Sequence, residues 1–333
     1  MTTQDLQPIL QLRGLRTEFR IGGAWHAAVR DVSLNVRRNE TLAIVGESGS
    51  GKSVTALSVM RLLPETGTRH GGGQILLEGR DLAALPEKEM AVLRGNDMAM
   101  IFQEPMTSLN PTMTVGDQIA EAIRQHRRIS WREARALALQ ALEEVKIPAA
   151  AERFDAYPHQ FSGGMRQRVM IAMALACKPK VLLADEPTTA LDVTIQAQVL
   201  GLLADLKEAR GMAVVFITHN LGVVAQIADR VAVMYAGQVV ETADVREIFA
   251  RPMHPYTEAL LRAMPRVDQD TESLQPIPGA VPAITAMPAG CAYASRCPLR
   301  QPRCESTDPE LAQVGATHGV RCLVRAESAK VAA

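Results

Sequence analysis

The sequence predicts an α/β fold built around a phosphate-binding loop, on three observations. The apolar strand Thr41–Val45 runs into Gly46-Glu47-Ser48-Gly49-Ser50-Gly51-Lys52-Ser53, and that glycine loop opens a helix over Val54–Met60. A second apolar strand, Val181–Ala184, delivers the adjacent carboxylates Asp185 and Glu186 at its C-terminal end, and a third, Ala213–Ile217, delivers Thr218 and His219. Open α/β sheets bind their ligands at that end of the strands.

The loop has the chemistry of a phosphate cradle. Gly46, Gly49 and Gly51, with Ser48 and Ser50, let successive backbone N–H groups curl around a phosphate, and the dipole of the following helix adds positive potential. Lys52 supplies a charge for the outer phosphates, and the Ser53 hydroxyl is placed to hold Mg²⁺. Eight residues of the form G-x-x-x-x-G-K-[ST] also occur as flexible turns. The strand before and the helix after favour the nucleotide.

Composition narrows the function classes. A chain of 333 residues with 47% hydrophobic and 22% charged residues is globular, with room for two domains and a sizeable core. Its 36 basic and 36 acidic residues cancel, leaving no overall field to draw it onto nucleic acid or anionic lipid. The start, Met1–Leu6, has no basic region followed by an apolar segment, so no signal peptide is expected. No apolar run approaches the ~20 residues of a membrane span. These features predict a cytosolic protein with reduced thiols.

Taken in order, alternation from Ile9 to Val36 predicts antiparallel strands. Phe19 and Trp25 lie here; either could stack on an adenine ring, although an aromatic in a strand is more often core, and Phe19 is the better candidate. His70–Gly73 is expected to be a glycine turn, followed by strands at Gln74–Glu78 and Met98–Phe102. Gln103, at the end of the latter, can reach a metal or an attacking water through its carbonyl, or can be a solvated loop residue. Residues 104–118 are expected to form an ordered irregular surface. Helical periodicity covers Val115–Arg128 and Ser130–Lys146, with a capping box from Ser130 to Glu133.

The most specific stretch is Phe161-Ser162-Gly163-Gly164-Met165-Arg166-Gln167-Arg168. Ser162 caps, and Gly163-Gly164 expose N–H groups at the head of a helix expected to reach Cys177, which makes a second anion site. The acidic pair that follows divides labour: Asp185 can hold Mg²⁺ through water, and Glu186 can orient or deprotonate the attacking water. A capping role is the alternative, disfavoured by the short distance from Ser162. Asp192 falls in a turn before another helix, and His219 ends a strand parallel to that of Asp185.

The set Gly46–Ser53, Gln103, Ser162–Met165, Asp185-Glu186, Asp192 and His219, in this order, resembles the ATP-binding subunit of an ABC transporter over essentially the whole chain. The resemblance implies an α/β P-loop cassette: a RecA-like core, an antiparallel β subdomain and a helical subdomain at about 104–178, within residues 1–250. Residues 251–333 would form a small extension. It also implies ATP and Mg²⁺ at the site, with Glu186, His219 and Gln103 as catalytic residues. Phe19, the loop residues Gly46, Ser48, Gly49, Ser50, Gly51, Lys52 and Ser53, then Ser162, Gly163, Gly164, Met165 and Asp192 would contact nucleotide, and Ser53, Gln103 and Asp185 would hold Mg²⁺. Phe161 and Met165 stand where many members have Leu and Gln, and Asn220 where Asp is usual, but none of these removes a ligand.

His254-Pro255-Tyr256-Thr257 with Leu260-Leu261, Ile277-Pro278-Gly279 and the cysteine-bearing tail look like the extension of dipeptide and oligopeptide importer ATPases. That implies a second ATPase subunit, two permease subunits and a substrate-binding protein outside the membrane. It also implies a peripheral place on the cytoplasmic face of a bacterial inner membrane, with no nucleic acid. On this resemblance residues 104–118 would face the permease, and the Ser162 head would act in trans on the partner's nucleotide. A nickel or glutathione importer is the nearest alternative. A DNA-repair ATPase would carry a long coiled coil, a translation factor two cassettes, and an exporter fused membrane spans.

Four of five cysteines fall late: Cys291, Cys297, Cys304 and Cys322, spaced C-x5-C-x6-C-x17-C in a proline-rich tail. Such a tail can hardly build its own core, so a cross-link is expected. Disulfides are disfavoured in a reducing compartment. Zinc usually takes closer C-x₂₋₄-C pairs, and an iron–sulfur cluster suits loosely spaced thiolates at least as well. The family resemblance implies a 4Fe-4S cluster, with Zn²⁺ as the alternative; His318 could substitute as a ligand, and Cys177 should take no part.

Overall fold

The computed structural model describes residues 7–103, 108–189, 191–264 and 276–332. The described strands are β1 (Pro8–Ile21), β2 (Ala24–Arg37), β3 (Thr41–Val45), β4 (Thr68–Leu77), β5 (Arg80–Asp81), β6 (Met98–Ile101), β7 (Val181–Asp185), β8 (Ala213–Thr218), β9 (Arg230–Tyr235), β10 (Gln238–Asp244), β11 (Ala312–Gln313) and β12 (Gly319–Val320). The chain divides into two compact units. One, the carboxylate unit, holds Ala84–Phe216 with short pieces of the N-terminal part. The other, the phosphate-loop unit, holds Leu10–Asn35, Glu40–Ala83 and the chain from Ile217 onward.

In the phosphate-loop unit, the expected antiparallel strands form a sheet of order β2-β1-β4-β5. Gly22 and Gly23, at φ +59° and +87°, make the two-residue β1–β2 turn, since such turns need positive φ at both central positions. The glycine turn expected at His70–Gly73 is instead part of β4, paired with β1 across an irregular register near Arg13 and Arg16. The glycines serve that irregularity: a Cβ on Gly73 would lie 2.3 Å from the Gly14 carbonyl oxygen, so only glycine permits the approach.

The same unit contains β3 paired in parallel with β9, then β9 with β10 and β10 with β12, both antiparallel. The tail therefore does not stand alone. It adds β12 and β11 beside β10, and Tyr256, Ala292 and Tyr293 are buried with Val231, Val233 and Tyr235 in one core. Three tyrosines interlock there, with ring centroids 4.7 Å apart for Tyr235–Tyr256, 5.2 Å for Tyr235–Tyr293 and 5.4 Å for Tyr256–Tyr293. The tail builds no core of its own, as its composition suggested, and its large side chains join a shared core that the sequence did not reveal. Glu241 and His318, both fully buried, add a 2.7 Å contact, and Glu241 also accepts from the N–H groups of Met253 and His254.

In the carboxylate unit β6 pairs in parallel with β7, Met98 opposite Val181 and Ile101 opposite Ala184. The helix Val115–His126 packs on Trp131–Glu144, which turns Ala134, Ala138, Ala141 and Leu142 inward at helical spacing. The Ser130–Glu133 capping box forms as predicted. The helix that begins at Gly163 ends at Leu175, two residues short of Cys177. Among the described residues, no helix is long and apolar enough to cross a membrane.

Candidate functional site

The phosphate loop leaves β3 as a tight backbone ring. Gly46, Gly49 and Gly51 take φ of +155°, +78° and +99°. A Cβ on Gly46 would lie 2.2 Å from the Met234 carbonyl oxygen, so this position excludes every larger residue. The Lys52 ammonium lies inside the ring, donating to the carbonyls of Gly46 at 2.7 Å and Glu47 at 3.0 Å. Ser53 stands in the first turn of the helix Lys52–Met60. His219 is exposed, just past the end of β8, and Asn220 caps the helix Leu221–Ile227 through its side-chain oxygen. An amide oxygen caps as well as a carboxylate does, which explains why Asn is tolerated there.

A cleft of about 780 Å³ adjoins the loop, lined by Phe19, Ser48, Gly49, Val54, Ile284 and Arg296 among others. Phe19 is half-buried in its wall. Trp25 packs under the Arg69 guanidinium at 4.3 Å, a cation–π contact that accounts for its exposed ring.

In the carboxylate unit, Asp185 is buried at the end of β7 and Glu186 follows at φ +46°. A non-glycine residue in the left-handed region is strained, and such strain gathers at functional sites. The Glu186 carboxylate accepts from the Gln103 amide at 3.3 Å and the Thr189 hydroxyl at 2.9 Å. Gln103 and Glu186 are thus brought together, a contact the sequence did not specify. Thr189 was not foreseen, since a hydroxyl three positions past the acid carries no signal of its own.

Ser162 caps the helix Gly163–Leu175, accepting from the Met165 N–H at 3.3 Å. Ser162 and Gly163 are exposed, so the head faces outward. Because Met165 bonds through its backbone, its side chain can vary. Gly164 cannot, since its Cβ would lie 2.5 Å from the Ile195 methyl. The Asp192 carboxylate accepts from the Ile195 N–H at 2.9 Å and so caps the helix Val193–Arg210. Of the surface expected at 104–118, residues 104–107 lie outside the described residues. Asn110–Thr112 are exposed, and the Gln118 side chain braces this loop through bonds to Asn110 and Met113.

The four late cysteines converge. Cys291, Cys297, Cys304 and Cys322 line one small apolar cavity of about 10 Å³ together with His254 and Tyr293. Burial, then the neighbouring thiols, pushes the Cys291 thiol up to about 11. Among the described residues, no three His, Cys, Asp or Glu side chains are arranged to hold a metal ion, so the thiols share a space without closing around a single ion. His318 is engaged with Glu241; Cys177 is buried elsewhere.

The residues the sequence reading missed are those that grip Glu47. Arg296 forks onto its carboxylate at 2.7 and 3.0 Å, and the Glu47 N–H donates to the Tyr256 hydroxyl at 2.8 Å. Nothing local marks Arg296, which lies 249 positions from Glu47.

Comparison with known proteins agrees with this geometry. Residues 29–189 match the family model described as ABC transporter, and residues 240–304 match that of the oligopeptide/dipeptide transporter C-terminal region. A putative peptide import ATP-binding protein of Brucella melitensis is 54% identical over 328 residues, covering 95% of this chain and 97% of its own. The dipeptide transport ATP-binding protein DppD of Bacillus subtilis is 49% identical over 325 residues, covering 98% and 97%. Among solved structures, the ATP-binding cassette MJ0796 in a post-hydrolysis state with ADP and Pi aligns at TM-score 0.64 and 28% identity, over 71% of this chain and 99% of that one. The chain is an ATP-binding cassette protein, and it belongs to the ABC transporter family with the peptide-transporter type of C-terminal region.

Proposed function

We propose that this chain hydrolyses ATP to power import of dipeptides or oligopeptides through an ABC permease. The observation that carries the reading is Glu186, strained at the end of a buried acidic strand and held by Gln103, in a chain that also carries the phosphate loop. In this reading Gly46–Ser53 takes the phosphates, with Phe19 against the base. Ser53, Gln103 and Asp185 would hold Mg²⁺, which would neutralise phosphate charge. Glu186 takes the proton of the attacking water and His219 meets the γ-phosphate. The outward-facing head of Ser162, Gly163, Gly164 and Met165, followed by Asp192, serves the nucleotide of a second cassette, so the working ATPase is a pair, as a heterodimer with a sister subunit.

The partners are two permease subunits, fed by a peptide-binding protein, with this chain on the cytoplasmic face. The braced loop at Asn110–Met113 supports a permease-facing role for the surface around it. Residues 251–333 form the peptide-importer type of extension to the cassette of residues 1–250. Reconstitution of chain, sister ATPase and permease in vesicles should give ATP-dependent uptake of a labelled dipeptide. Uptake of nickel or glutathione with no peptide would replace the substrate, and ATP-independent uptake would overturn the reading.

Cys291, Cys297, Cys304 and Cys322 would hold a 4Fe-4S cluster, with Zn²⁺ as the alternative. Four thiols lining one small cavity, Cys304 buried and the other three partly so, are what supports a thiolate-bound group. Bound there, it supplies a cross-link and a redox couple. Anaerobic purification should yield iron with acid-labile sulfide; stoichiometric zinc without sulfide would assign the site to zinc.

A further inference from the structure

We propose that the C-terminal extension is part of the nucleotide site itself: Arg296 is a positioning residue that sets the phosphate loop through Glu47, and the segment around Ile284 walls the cleft that takes the base. This rests on reading Gly46–Ser53 as the nucleotide loop.

Glu47 is the first residue of the ring after Gly46, and both its backbone and its side chain are held from the extension. Its N–H donates to the Tyr256 hydroxyl at 2.8 Å, and its carboxylate takes two parallel bonds from Arg296 at 2.7 and 3.0 Å. A bidentate guanidinium–carboxylate pair fixes direction as well as distance. The Arg296 side chain is 4% exposed, and its remaining donors go to the Pro278 carbonyl at 2.8 Å, the Ile277 carbonyl at 3.3 Å and the Tyr235 hydroxyl at 3.3 Å. One side chain thus joins the loop, the core strand β9 and the start of the 277–287 segment. Glu47 is therefore not available to repel phosphate, because its charge is matched where it stands.

The second observation is independent. The cleft beside Ser48 and Gly49 is lined by Phe19 and Val54 from the first part of the chain and by Ile277, Val281, Ile284 and Met287 from the extension. A cleft that joins apolar side chains to the glycine loop at a helix N-terminus matches a flat base joined to a phosphate chain. The base's apolar contacts then come from both ends of the chain.

The test uses the full-length protein and two probes, ATP and inorganic tripolyphosphate, which has the phosphates without the base. Ile284→Asp places a charge in the wall away from the loop. It should weaken ATP about tenfold or more while tripolyphosphate binds as before, since a lost apolar contact costs about 10–200-fold. Arg296→Met should weaken both probes, and Arg296→Lys should restore only part of the loss, because an ammonium cannot fork. In the cycle with Glu47→Gln, the double variant should lose no more than the worse single one. Lys52→Ala is the control for the underlying reading: if it binds ATP like the parent, the loop is not the nucleotide site. If Lys52→Ala loses ATP while Ile284→Asp and Arg296→Met bind both probes like the parent, the inference about the extension is overturned. Equal loss of both probes in Ile284→Asp overturns the wall.

Discussion

Two glycine- and serine-rich helix heads lie in this molecule, and they are built in opposite ways. The head at Ser162-Gly163-Gly164 is local: its cap reaches three residues along the chain, and its first glycine is exposed. The head at Gly46–Ser53 is a closed ring whose geometry depends on Met234, Tyr256 and Arg296, all far away in sequence. The difference follows from what each must do. In the proposed function, a head that meets a ligand held by another molecule has to be presented, whereas a ring that encloses a phosphate has to be pre-shaped, and a short loop cannot hold its own shape against the entropy of its many glycines.

The largest effect separating the two units should come from chemistry. Glu186→Gln should bind ATP as the parent does while turnover falls ~10²–10⁴-fold; parent-like turnover would remove Glu186 as the base. Gly46→Ala should then cost on the order of 3 kcal/mol, since the new methyl meets a backbone carbonyl that cannot yield. Gly163→Ala has open space around its Cβ, so it should leave the melting temperature unchanged or raised. Matching melts for these two variants would erase the contrast between ring and head.

Acid should act on the phosphate-loop unit through Glu241. Burial raises the pKa of its carboxyl, but the hydrogen bond from His318 and the backbone N–H groups of Met253 and His254 outweigh burial and hold it below its ordinary 4.5. A carboxyl depressed in the folded state contributes stability that is fully present above the ordinary value and is lost as pH falls through the folded one. The parent's thermal midpoint should therefore drop below about pH 4.5, and Glu241→Gln, less stable at neutral pH, should show a shallower acid slope. A slope identical to the parent's would show that this carboxyl does not titrate with folding. In the local head, Ser162→Ala should cost only about 1 kcal/mol of helix stability, read by thermal melting.

Legibility in the sequence followed the same division. The phosphate-loop strand and helix, the Ser130 capping box and the Ser162 cap were readable because each rests on a short motif. His70–Gly73 was misread because glycines that permit a strand irregularity look the same as glycines that make a turn. The tail's shared core was missed because Tyr256 and Tyr293 find their partner Tyr235 across a distance that no periodicity encodes. Arg296 was hidden for the same reason, since its partner Glu47 lies 249 positions away.

The anchoring of Glu47 also has a consequence for biosynthesis. Its two anchors lie 209 and 249 positions downstream, so at usual elongation rates a ribosome needs on the order of ten to fifty seconds after finishing the loop before both exist. For the first part of that interval β3 lacks its parallel neighbour β9, and after Tyr256 is made the ring still lacks its Arg296 anchor. The loop is thus fully braced only after residue 296 has been made, and a message truncated just before codon 296 yields a chain that keeps every residue of the loop and lacks the Arg296 brace.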